Sequence, residues 1–292
     1  MAKTEQESRE YRVRTRDGLS LRVLEWGPPA AAPIVMLHGI RGYARTFTGL
    51  AQALEPGFRT IAWDQRGRGA SDWDPAGNYY NDSYVRDIED VVDHLGLGRF
   101  DLLGHSMGGI AAYVYAATHP DKIRRLIIED AGPGASEDSA GSARIRQELL
   151  SAPRSFESWD AAVTFMRNLR PSVTEEARLD RLRNMLKQHP DGTWGWQYDH
   201  DGIARARLDP DPSRRVDLWP HVEALCAPTL ALRGGRSDYF RRETAEAMAA
   251  RNPLVRWKEV ADAGHYIHDD QPEVVKALVS GFLAEVDSDD AR

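Results

Sequence analysis

The 292-residue chain reads as an α/β protein: an eight-stranded, mostly parallel sheet flanked by helices, with an inserted helical lid. Three observations carry that expectation. Short apolar runs ending in Gly or Asp recur, helical patterns separate them, and the rhythm breaks after Asp130 before returning near Pro228. A continuous apolar run marks a strand buried on both faces, and strands alternating with helices join by parallel crossovers.

Residues 9–26 alternate charged and apolar positions around "RDG", predicting a hairpin of "YRVRT" and "LSLRVLEW". Buried strands follow in "PIVMLHG", "RTIAWD", "RFDLLG" and "IRRLIIED", with helices over about 44–54, 82–95 and 106–118. Residues 134–219 carry amphipathic helical patterns and no convincing buried strand. In "TEEARLDRLRNMLKQH", Thr174 is the expected cap, acids fill the first turn, and Leu179, Leu182 and Leu186 share a face. Strands return in "APTLALRGG" and "PLVRWKEVADAGH" around a helix near 241–251, and a last helix covers about 272–285. The expected organisation is a core from 1–133 and 220–292, interrupted by a lid over 134–219.

Composition narrows the partners. A net charge of −7 argues against nucleic acid or an anionic membrane. With 41% hydrophobic residues the chain can bury a large core, while a mean hydropathy of −0.54 favours water. Cys226 is the sole cysteine, which excludes an intrachain disulfide and a cysteine metal cluster. The charged start lacks a secretory pattern and no run is long enough to span a membrane, so a cytoplasmic location is expected.

The densest signal is "FDLLGHSMGGIAA", residues 100–112. Gly is costly inside regular elements, so three of them around one serine need a local cause. Gly104-His105-Ser106-Met107-Gly108 fits G-x-S-x-G, a strand-to-helix turn that lifts a serine hydroxyl above a sheet. Alone, the pattern is as consistent with a plain glycine turn. Its place between a buried strand and an alanine-rich helix favours a nucleophile.

A serine hydroxyl needs a base, itself oriented by a third group. His265 in "ADAGHYIHDDQP" follows the last predicted strand and is the expected base; His268 is the rival, better suited to supporting the loop. His105, inside the turn, is expected to pack away from the reaction. Two carboxylates end strands nearby. Asp238 in "GGRSD" is the favoured acid and Asp130 in "RLIIED" the alternative, the loser being expected to cap a turn or pair with an arginine. Donors for an oxyanion are expected from the N–H groups of Met107 and Ile40, with Gly39 and Gly42 letting the second loop approach.

With these residues assembled, the chain resembles the alpha/beta-hydrolase superfamily, in its serine-nucleophile branch with a helical lid. The matching pieces are "LHGIRG", "WDQRGRGASD", "GHSMGG", "GGRSD" and "AGHYIH", in the order nucleophile, acid, base over residues 34–268. The resemblance implies a hydrolase without cofactor or metal, whose lid forms the acyl or alcohol pocket. It also implies that "DQRGRGAS" is a structural turn in which Asp64 and Arg66 bind each other or nearby backbone. Ser106, where epoxide- and haloalkane-cleaving members would carry Asp, argues against both substrates.

Twelve arginines against fourteen acids between 134 and 219 are expected to be mostly solvated ion pairs. One or two can still hold a substrate carboxylate, and Arg41 beside the oxyanion loop is the leading candidate. Trp194, Trp196, Phe165 and Tyr239 are expected at the pocket, although such aromatics more often glue lid to core. The combined expectation is a serine hydrolase of carboxylesterase type, acting as monomer or homodimer on a small ester or lactone. The alternatives are a C–C bond or enol-lactone hydrolase, acyl transfer, a cofactor-free oxygenase, and a non-catalytic small-molecule receptor.

Overall fold

The computed structural model describes residues 8–170 and 173–287. Its main sheet contains β1 (Arg9–Arg14), β2 (Ser20–Trp26), β3 (Ala32–Leu37), β4 (Phe58–Trp63), β5 (Phe100–His105), β6 (Ile123–Glu129), β10 (Thr229–Gly234) and β11 (Val255–Val260). Three further strands lie in the insertion: β7 (Ser155–Phe156), β8 (Leu186–Gln188) and β9 (Trp194–Trp196). The eight strands run in the order β1-β2-β4-β3-β5-β6-β10-β11, antiparallel across β1-β2-β4 and parallel beyond.

Why these runs form strands follows from their burial. Every residue of β5 and β10 is buried, as a central strand covered on both faces requires. The edges differ: β1 exposes Arg9, Glu10, Arg12 and Arg14, and β11 exposes Arg256, Lys258 and Glu259. Charged edges discourage pairing with another chain.

Alternate residues of β3 point to opposite cores, as period-two geometry demands. Val35 and Leu37 join Ile61, Trp63, Leu102, Leu126 and Ile128 under α2 (Asn81–His94) and α3 (Met107–Thr118). Ile34 and Met36 join Ala62, Leu103, Ile127 and Leu230 on the other face. There they pack against α1 (Thr48–Leu54) and α12 (Pro272–Asp287) through Leu50, Leu54, Val275, Val279 and Phe282. Helix α10 (Arg242–Arg251) links β10 to β11, and the short α11 (Ile267–Asp270) precedes α12.

Between β6 and β10 the chain leaves the sheet. Helices α4 (Ala135–Asp138), α5 (Ala140–Ser151), α6 (Trp159–Leu169), α7 (Glu175–Met185), α8 (His200–Leu208) and α9 (Trp219–Glu223) fill this stretch. The expectation of an all-helical insertion is corrected here. Strands β7, β9 and β8 form an antiparallel sheet inside it. Strands of two and three residues are too short to show periodicity, but the "HPDGT" turn between β8 and β9 was the available signal.

The α7 reading also needs amendment. Thr174 caps it, accepting from the Ala177 N–H, as expected. Its buried residues, however, are Arg178, Arg181, Leu182 and Met185, and Leu186 already belongs to β8. The insertion is tied to the core through the Arg68–Tyr198 bridge, the Asp199 N–H to Gly67 carbonyl, and Tyr79 Oη donating to Asp199 at 2.7 Å. No helix of the described residues is long and apolar enough to cross a membrane.

Candidate active site

Ser106 stands alone between the end of β5 and the start of α3, with φ 52° and ψ −116°. That conformation is rare for a residue with a Cβ and clusters at functional sites. The glycines around it solve a crowding problem. A Cβ on Gly104 would lie 2.5 Å from the Gly108 carbonyl oxygen, and one on Gly108 would lie 2.4 Å from that of Leu37. Strand and helix therefore cross with backbone against backbone, and the Ser106 N–H is held by the Glu129 carbonyl at 2.9 Å.

His265 comes from the loop between β11 and α11. Its Nε2 lies 2.9 Å from Ser106 Oγ, and its Nδ1 lies 2.8 Å from Asp130 Oδ2. All three residues are buried. The imidazole is clamped on other sides too. His105 Nε2 lies 2.9 Å from the His265 carbonyl, and the Tyr239 ring centroid stands 4.4 Å from that of His265. Burial and the neighbouring His268 and His265 hold the His105 pKa well below the ordinary value, so it is a neutral donor to that carbonyl. His105 thus packs behind the site, as expected.

The favoured acid is corrected. The carboxylate on His265 is Asp130, not Asp238. Asp130 sits at φ 49° just past β6, where its Oδ1 accepts the Gly234 N–H at 2.9 Å and its Oδ2 accepts from Ser237 Oγ at 2.5 Å. Asp238 turns outward instead, into a fork from Arg144 Nε at 2.8 Å and Nη2 at 2.9 Å. That contact, above all, holds its pKa below the usual carboxylate value. Sequence reasoning weighed strand ends but not side-chain direction, and it passed over Ser237, one residue before the chosen acid.

His268 supports the loop through Nδ1 at 2.5 Å from Glu129 Oε2. Burial opposes its positive charge, yet the Glu129 and Asp269 carboxylates prevail and raise its pKa. Asp64 and Arg66 do not bind each other. Arg66 pairs with Asp87, Asp74 and Asp17, whereas Asp64 accepts the Ala44 and Ala70 N–H groups and Arg22. Both are nonetheless structural contacts, as the turn reading implied.

Ile40 and Met107 border the Ser106 cavity of 430 Å³. Met107 opens α3, whose first-turn N–H groups have no partner within the helix. The Ile40 carbonyl accepts from Arg68 Nε at 2.7 Å, which fixes the loop just beyond the Ile40 N–H. Close approach of this loop depends on Gly39, where a Cβ would lie 3.2 Å from that of Ser106.

Tyr239 borders the same cavity. A second cavity of 270 Å³ reaches His265 and is bordered by Arg41, Trp196, Met166 and Tyr266. Arg41 is buried and bonded through Nη1 to Glu148 Oε2 at 3.0 Å. Trp194 and Phe165 border neither of these two cavities: Trp194 meets Trp159 edge to face with centroids 4.8 Å apart, and Phe165 meets Phe156 at a tilt at 5.4 Å. They join elements of the insertion. Sequence reasoning also passed over Arg68, Arg146 and Arg207, which border the Ser106 cavity; only the alternation of arginine with small residues in "IARARL" pointed to the last.

The residue order and geometry meet in the comparisons with known proteins. The family of the alpha/beta hydrolase fold matches residues 32–272, and the chain belongs to it. A 3-hydroxybutyrate-oligomer hydrolase of Cupriavidus necator is 31% identical over 252 residues, covering 82% of this chain and 85% of its own. A 2-(acetamidomethylene)succinate hydrolase of Mesorhizobium japonicum is 26% identical over 271 residues, covering 91% and 92%. The crystal structure of E-2-(acetamidomethylene)succinate hydrolase superposes with a TM-score of 0.84 at 25% identity, over 95% of this chain and 100% of that one. Relatives of this chain are thus named as hydrolases; others are named as esterases and lipases.

Proposed function

We propose that the chain is a serine hydrolase that cleaves a carboxylic ester or lactone of a small molecule through Ser106, His265 and Asp130. The observation that carries this reading is the continuous hydrogen-bonded line from Ser106 Oγ through the His265 ring, 2.9 Å on one side, to Asp130 Oδ2, 2.8 Å on the other.

In this mechanism Ser106 Oγ attacks the carbonyl carbon while His265 Nε2 takes its proton. Asp130 accepts the Nδ1–H, keeps the ring in the productive tautomer and stabilises the imidazolium. The oxyanion of the tetrahedral intermediate faces the Met107 and Ile40 N–H groups. His265 then protonates the departing alcohol. Water, deprotonated by the same nitrogen, attacks the acyl-serine and releases the acid. The insertion, taken as a lid over 134–219, supplies part of the wall of each cavity.

Ser106→Ala removes the nucleophile. We expect turnover of p-nitrophenyl esters to fall by about 10⁴-fold or more, with the melting temperature within a few degrees of the parent. Parent-like turnover by the variant would falsify the assignment. A second reading, cleavage of a bond other than an ester, is supported by the likeness to the 2-(acetamidomethylene)succinate hydrolase, whose substrate is by name an acetamido compound. Assaying enamides and vinylogous diketones beside simple esters separates the two.

A further inference from the structure

The cavity that contains Ser106 inverts the charge of the chain around it. The protein carries a net −7, yet this cavity is bordered by Arg68, Arg146, Arg207, Arg214 and Arg215, with Asp211 as the one carboxylate among its described lining. Two of those cations are already engaged. Arg214 grips Asp82 through Nη2 at 2.6 and 2.8 Å, and Arg215 has a partner of its own. Asp211 is engaged as well, accepting the Ser213 N–H and hydroxyl at 2.9 and 2.7 Å.

The remaining three arginines have no carboxylate partner among the described residues. Arg68, fully buried, donates to the Ile40 and Arg66 carbonyls at 2.7 and 2.8 Å, and its Nη2 reaches only the Met107 sulfur at 3.3 Å. Its guanidinium otherwise lies over the rings of Tyr79 and Tyr84 at 5.9 and 5.4 Å. Arg146, exposed on α5, donates to the Leu208 carbonyl at 3.1 Å. Arg207, half-buried on α8, lies beside Tyr239, whose ring packs at a tilt against His265.

An arginine stays charged in any protein setting, and a buried charge without a countercharge is costly. Arg68 is such a group; with Arg146 and Arg207, which likewise lack a carboxylate partner among the described residues, it makes the cavity complementary to an anion that arrives with the substrate. Ile110, Ile145, Ile203 and Ala206 line the same cavity and suit a short aliphatic chain between that anion and the reacting carbonyl. A planar carboxylate matches the guanidinium fork.

We infer that the substrate of Ser106 bears a carboxylate several carbons from the scissile carbonyl, bound by Arg207 with Arg146 at the rim. Arg68 adds positive potential from the floor. This inference rests on the reading of Ser106 as nucleophile and names the class of its substrate.

The test compares p-nitrophenyl hydrogen glutarate with its neutral counterpart, p-nitrophenyl methyl glutarate. The parent should favour the carboxylate by roughly tenfold or more in kcat/KM, and added salt should shrink the preference. Arg207→Gln should abolish most of that preference, with kcat/KM falling at least about fivefold further on the hydrogen glutarate than on the methyl ester, and Arg207→Lys should restore part of it. Equal turnover of both esters by the parent, or an equal loss on both in Arg207→Gln, overturns the inference.

Calorimetry on the Ser106→Ala protein decides the point without turnover. Monomethyl glutarate should bind about tenfold more tightly than dimethyl glutarate, and equal binding overturns the proposal. Inorganic phosphate competing as well as glutarate would also overturn the carboxylate. Fluorophosphonate labelling of Ser106 separates the two failures. Labelling without any carboxylate preference sinks only the inference; a folded, unlabelled protein sinks the nucleophile.

Discussion

Asp130 and Asp238 follow neighbouring strands of one sheet, yet they occupy opposite physical settings. Asp130 is fully buried, and each of its oxygens is held, by Gly234, Ser237 and His265. Asp238 is 38% exposed and bound by Arg144, which passes its third bond to Glu148 and so onward to Arg41. A carboxylate without water and with fixed donors can orient an imidazole; one in an exposed arginine fork is already satisfied. The difference teaches that arriving at a strand end is not enough. Direction and desolvation select the acid.

The comparison is broken most directly by Asp130→Asn. We expect kcat to fall by about 10⁴-fold on p-nitrophenyl esters, because an amide mis-sets the His265 tautomer. A loss below tenfold would transfer the role elsewhere. Ser237→Ala, which removes one charge-assisted donor from Asp130 Oδ2, should lower kcat by about tenfold and leave KM within a few-fold. A kcat unchanged in stopped-time assays would show that the other contacts suffice to fix the carboxylate.

The loop behind the base titrates. The raised pKa of His268 in the folded protein places its stabilising contribution fully below the ordinary value of 6.5. Stability should decline as pH rises through the folded-state pKa. Denaturant unfolding from pH 6 upward should show that decline, and His268→Gln should flatten it. Smallest is the effect of Asp238→Asn, whose half-exposed pair contributes at most about 1 kcal/mol. Its kcat should stay within about threefold of the parent; a loss rivalling that of Asp130→Asn would reverse the assignment of the acid.

How much of this was legible in the sequence depends on range. The strands β3 to β6 and their helices were readable because each apolar run and each 3.6-residue pattern is a local signal, and the turn at Ser106 was readable because backbone crowding admits only glycine at its flanks. The β7-β9-β8 sheet was not, since strands of two or three residues carry no period. Arg178 and Arg181 misled for a related reason. Their charges are met by Glu175 and Asp269, so a face that reads as polar is buried.

Chain order and residue type alone settled the α/β architecture, the serine at the strand-to-helix turn and the histidine on the last loop. They could not choose between two strand-end aspartates, pair Trp194 with Trp159 and Phe165 with Phe156, or gather Arg68, Arg146 and Arg207 around one cavity. Those outcomes depend on contacts between segments far apart in the chain: Asp130 meets His265 across 135 positions. Local patterning is encoded every few residues, whereas the pairing of charges is fixed by where packing leaves room and excludes water.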